Sequence, residues 1–157
     1  MPDIRFYHLM RRGLDEALPN LLEQSLARGW RVAVQTTSRQ SRTRLDESLW
    51  AYRPESFLAH GTRADGAPET QPIYLTDEAD NPNRADVRFF VEGARAAPVL
   101  ADPALAPRER TVLIFAGDAE KDAAREQWSE LLPLGQKLSY FKEDDARKFV
   151  LTAERNA

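Results

Sequence analysis

The sequence predicts an α/β domain built on a mostly parallel sheet with helices on both faces. Short runs with strand periodicity alternate along the chain with longer stretches of helical spacing. The first strand, helix and strand fall within residues 3–36, the size of one βαβ unit, and the helical stretches stop at Gly29, Pro54 and Gly135. At 157 residues, 42% hydrophobic and 30% charged, the chain suits one domain spanning residues 1–157.

Residues 3–9 (Asp-Ile-Arg-Phe-Tyr-His-Leu) alternate in polarity and predict the first strand, closed by a turn at Arg12-Gly13. Leu14, Leu18, Leu21, Leu22 and Ser25 then recur at helical spacing up to Gly29, with Pro19 expected near the first turn, where its missing N–H removes no helical bond. The β-branched run Arg31–Thr36 predicts a second strand parallel to the first. Ser38 can cap a second helix running through Leu45 and Leu49 to Tyr52, ended by Pro54.

From Glu55 to Thr70 the turn formers Gly61, Gly66 and Pro68 predict a loop. Strands are expected at Gln71–Thr76, Val87–Val91 and Thr111–Phe115, and the stretch holding Pro98, Pro103 and Pro107 predicts a long surface loop. Asp118 is expected to cap a third long helix from Ala119 to about Leu134, stopped by Gly135, before a strand at Lys137–Lys142. Residues 144–157 carry no pattern that assigns them. The total is about three helices and about six strands.

Composition excludes several classes. With no cysteine the chain has no disulfide, thiolate nucleophile or cysteine-built metal site. The N-terminus lacks the basic and apolar regions of an export signal, and no apolar run reaches the roughly 20 residues that span a bilayer, so the cytoplasm is the expected location and no membrane is an expected partner. A net charge of −3 argues against direct DNA binding, while a local cluster of cations remains compatible with gripping an acidic peptide.

Cofactor chemistry finds little support. The junction Met10-Arg11-Arg12-Gly13-Leu14 holds a single glycine where a nucleotide-binding α/β protein carries a glycine-rich phosphate loop. His8 and His60, the two histidines, have no visible triad or metal partners and read as structural, and Asp46, Glu47, Asp144 and Asp145 read as solvated faces. The expectation is therefore a protein without catalytic residues, metal or cofactor. The alternative is a small-ligand or nucleotide-binding enzyme with its pocket at the carboxyl ends of the parallel strands.

Two aromatic features stand out. On the second helix Leu45, Leu49 and Tyr52 cluster on one stripe, whereas Trp50 points more than about 90° away. With Phe57 it forms either an apolar patch for a protein partner or a packing cluster under the loop. On the third helix Lys121, Arg125, Trp128 and Leu132 follow i, i+4, i+7, i+11 spacing. That stripe is either an ordinary amphipathic face with Trp128 in the core or a site for an acidic peptide whose terminal carboxylate follows an aromatic residue.

The stretch Arg44-Leu45-Asp46-Glu47-Ser48-Leu49-Trp50, followed by Pro54-Glu55-Ser56-Phe57-Leu58-Ala59-His60, closely resembles the signature of the χ (chi) subunit of bacterial DNA polymerase III. Phe6-Tyr7, Arg28-Gly29-Trp30-Arg31-Val32, Gln71-Pro72-Ile73 and Arg125-Glu126-Gln127-Trp128 keep the family's order, so the likeness spans most of residues 4–142. It implies a single Rossmann-like fold without nucleotide chemistry and a non-catalytic adaptor of the replicase. One surface is expected to bind the acidic C-terminal tail of single-stranded DNA-binding protein. The other is expected to bind the ψ subunit or another clamp-loader component, so that DNA is reached only indirectly. The resemblance puts Lys121, Arg125 and Trp128, with Ile114 on the neighbouring strand, at the tail-binding positions, and Trp50 and Phe57 at those facing ψ. Trp128 stands where the family commonly has tyrosine, and Ser129 where it has a further basic residue.

Overall fold

Alternating polarity in Asp3–Leu9 does make a strand (β1), and the computed structural model, which describes residues 2–51 and 60–157, places it deep inside an eight-stranded sheet. The remaining strands are β2 (Val32–Gln35), β3 (Gly61–Thr62), β4 (Ile73–Thr76), β5 (Val87–Phe90), β6 (Arg110–Ala116), β7 (Lys137–Glu143) and β8 (Phe149–Arg155). Their order is β3-β4-β2-β5-β6-β1-β7-β8, with every neighbouring pair parallel except the antiparallel β7–β8 edge.

Helices α1 (Leu14–Ala27) and α2 (Arg39–Ala51) cover one face, α3 (Ala97–Leu100) and α4 (Lys121–Leu131) the other, as predicted for a doubly wound sheet. On the first face Leu18, Leu22, Leu45 and Leu49 pack on Leu9, Val34 and Ile114. On the second, Val99, Ala124 and Leu131 pack on Phe6, Leu113 and Phe115. Gly29 (φ +79°) and Gly135 (φ +80°) end their helical stretches in the left-handed conformation that glycine adopts without a Cβ penalty. Ser38 caps α2, its hydroxyl accepting the Ser41 N–H at 3.1 Å.

Four local expectations change. Pro19 is the sixth residue of α1 rather than part of its first turn, so the Asp15 carbonyl lacks its helical donor while the proline ring is buried. Asp118 does not cap α4, which starts at Lys121 after Glu120; its main-chain carbonyl accepts the Lys121 N–H, and the Glu120 carboxylate holds the Ala116 N–H at 2.8 Å. The proline-rich stretch is not wholly surface loop, because Ala96 and Val99 are fully buried and Gln127 grips both the Ala94 carbonyl and the Ala96 N–H. The segment after Glu143 forms β8, joined to β7 by a turn in which Asp144 accepts the N–H groups of Ala146 and Lys148.

Candidate functional site

A groove of about 510 Å³ opens between α4 and the β7–β8 edge. Lys121, Arg125, Trp128 and Ser129 of α4 form one wall, Thr152 and Ala153 of β8 the other, and Phe6, Phe115 and Tyr140 the floor. Helical spacing explains the first wall: Ala124, Gln127 and Leu131 take the buried stripe, which rotates Lys121, Arg125 and Trp128 to the stripe's edge. Trp128 is half-buried, its indole meeting Phe6 edge-on at 5.2 Å between ring centres while also lining the groove. The indole thus packs against the core on one side and lines the groove on the other.

Charge is uncompensated along this wall. Among the described residues neither Lys121 nor Arg125 has a carboxylate within ion-pair distance, whereas Arg11, Arg44, Arg63 and Arg95 on the surface are each paired. Two open cations beside an aromatic-lined apolar slot can hold a carboxylate and a flanking aromatic or aliphatic side chain together.

The floor is fixed from beneath. Tyr140 lies 2.7 Å from His8 Nδ1, and His8 Nε2 lies 3.3 Å from the Gly117 carbonyl, so the ring donates from Nε2 and accepts the Tyr140 hydroxyl at Nδ1. Phe115 stacks on the His8 ring at 4.5 Å. Burial holds the His8 pKa below its ordinary value; the Gly117 hydrogen bond opposes this, and the charges of Lys142 and Lys121 reinforce it. Burial raises the Tyr140 pKa, with Arg125 acting the other way.

Ile114 is not brought to the groove. Strand alternation sends Leu113 and Phe115 to the α4 face and Ile114 to the opposite face, where it is buried among the side chains under α1 and α2. Phe115 takes the place expected of it. Leu132 also leaves the groove wall, since the chain tightens into a 3₁₀ turn at Leu132–Leu134 and its side chain packs on the core.

Trp50 lies on the other face of the sheet. It is 54% exposed while Leu45 and Leu49 are buried, as the helical projection predicts. Its ring rests on His60 at 4.3 Å between centres, and His60, itself buried, has Nε2 3.1 Å from the Asp46 carboxylate. Phe57 lies outside the described residues, as does the expected end of the helix at Tyr52.

At the β1–α1 turn, where a phosphate would sit in a nucleotide-binding relative of this architecture, the N–H groups of Met10, Arg11 and Arg12 all point at Glu143 Oε1, at 3.0, 2.6 and 3.0 Å. Arg12 Nε donates to Glu143 Oε2 at 2.5 Å. Burial alone would raise this carboxyl pKa; the Arg11 amide, the Arg12 guanidinium and the Arg12 and Met10 amides outweigh it and lower it from 4.5 to about 2. The turn's anion site is filled by the chain itself. Among the described residues no group of three or more His, Asp or Glu side chains could hold a metal ion, and no helix is long and apolar enough to cross a membrane.

Residues 1–139 match the family model described as "DNA polymerase III chi subunit, HolC". Over 100 residues the chain is 31% identical to a Rickettsia prowazekii (strain Madrid E) protein named "Probable DNA polymerase III subunit chi", an alignment covering 64% of this chain and 61% of that relative.

Proposed function

The chain belongs to the DNA polymerase III chi subunit family, a family of replicase accessory subunits, and from that premise we propose that it tethers the replicase to protein-coated single-stranded DNA. In this reading the α4 groove takes the acidic C-terminal tail of single-stranded DNA-binding protein. Arg125 and Lys121 receive the terminal carboxylate, and the last side chain lies between Trp128, Phe6 and Tyr140. The observation that carries the reading is the pair of open cations standing over an aromatic-lined slot.

The exposed Trp50 surface is the second contact, for ψ or another clamp-loader component. Support comes from its placement: α2 packs over β4 near one end of the strand order, whereas the groove lies at the β7–β8 end on the opposite face. Two partners so placed do not compete for space, which is what an adaptor requires. It needs no chemistry of its own.

Titration calorimetry with an acidic peptide ending in phenylalanine tests the groove assignment. Arg125→Ala should weaken binding by about 1.5–3 kcal/mol, the usual worth of a hydrogen bond to a charged group, and amidating the peptide's terminus should cause a similar loss in the wild type. Affinity insensitive to both changes would remove the groove from the mechanism.

A further inference from the structure

Strand alternation divides the cations of β7 between the two faces of the sheet. Lys137 lies on the face away from the groove, 3.0 Å from Glu154, and is neutralised within the chain. Toward the carboxyl ends of the strands, Lys142 is exposed and, among the described residues, has no carboxylate within ion-pair distance. Strand alternation fixes where it points: Tyr140 and Lys142 share a face of β7, and in register they stand beside Phe6 and His8 of β1.

The antiparallel edge extends the same surface. Ala153 pairs with Tyr140 and, past an irregularity in register, Val150 pairs with Lys142, so Val150, 47% exposed, continues the wall that Ala153 begins. The charges of Lys142 and Lys121 both lower the His8 pKa from this end, and Asp118 opposes them. Tyr140, Lys142, Val150 and Ala153 all lie beyond the residues 1–139 matched by the family model.

We propose that the groove continues past Tyr140 into a second subsite made by Lys142 and Val150, which takes an acidic residue upstream of the peptide's terminal carboxylate. Two residues of strand span about 6.6 Å, so the subsite meets a side chain about two or three positions before the terminal one in an extended peptide. The acidic segment therefore leaves the groove toward the carboxyl ends of the strands, where Lys142 and Val150 stand on the groove face. This inference rests on the groove being the tail site.

The test uses the full chain and two octapeptides that end in the same phenylalanine carboxylate, one with aspartates upstream and one with asparagines in their place. Lys142→Gln should weaken the aspartate peptide about 2–5-fold, as expected for an exposed charge pair, and leave the asparagine peptide unchanged. Arg125→Ala should weaken both. Loss of affinity for both peptides, or for neither, in Lys142→Gln overturns the second subsite while the Arg125 result keeps the groove assignment. Failure of Arg125→Ala to weaken either peptide overturns the groove assignment and the subsite with it.

Discussion

The β1–α1 turn and the α4 groove both turn donors and cations toward the carboxyl side of the same sheet, yet only the first is filled from within. At the turn, three main-chain N–H groups and the Arg12 guanidinium converge on Glu143, whose side chain is fully buried. Arg12 reaches on to the Arg147 carbonyl and stands over the Phe149 ring, so the same cluster ties β8 to the sheet. In the groove, Lys121, Arg125 and Lys142 face solvent without carboxylates among the described residues. Internal pairing in a dry site stabilises the fold, whereas open cations over an apolar slot contribute little to stability and leave their charge for a partner.

The largest expected effect breaks the turn. In the folded chain the Glu143 pKa falls from 4.5 to about 2, which at about 1.4 kcal/mol per pH unit corresponds to about 3 kcal/mol of stability. Glu143→Gln should lose up to that amount at neutral pH in a denaturant titration, while peptide affinity of the folded variant stays within about twofold of wild type. Because the folded pKa is depressed, the contribution is complete above pH 4.5 and fades as the pH falls toward about 2. The variant should lack that part of the acid transition. A variant as stable as wild type across this range would mean the carboxylate is not what holds the turn, and the contrast with the groove would collapse.

A smaller effect is expected at the groove floor. Tyr140→Phe removes the hydroxyl that meets His8 Nδ1 at 2.7 Å and leaves a buried ring nitrogen without its donor, a loss of about 1–3 kcal/mol, nearer the low end because the groove admits water. Nitrogen NMR of His8 should report the change at Nδ1, and peptide affinity should fall less than in Arg125→Ala. An unaltered His8 spectrum would mean that the floor is not held by this bond.

Much of this contrast was legible before any coordinates. Helical periodicity placed Trp50 off the buried stripe and put Lys121, Arg125 and Trp128 together, because a helix fixes its own face by local spacing alone. The opposite wall was not legible. Residues 149–155 are mostly exposed, so β8 lacks the apolar alternation that announces a strand, and its place depends on a turn built by Asp144 and Arg147 in the left-handed conformation. Thr152 and Ala153 join the groove only once that hairpin exists. Glu143 shows the same limit: its partners lie more than 130 residues away along the chain, at the end of the first strand.

The smallest effect separates the two readings of β6. The sequence-level resemblance set Ile114 beside the tail, but a one-residue change of parity in a strand exchanges the faces completely, and the pairing of Phe6 with Leu113 and Tyr7 with Ile114 puts Ile114 with the α1–α2 layer. Ile114→Val should therefore cost about 0.5–1.5 kcal/mol of stability, as a methylene lost from a packed core does, and leave peptide affinity unchanged. If stability held and affinity fell, the face assignment of β6 would be reversed, and Phe115 could no longer serve as the floor on which His8 and Tyr140 are stacked.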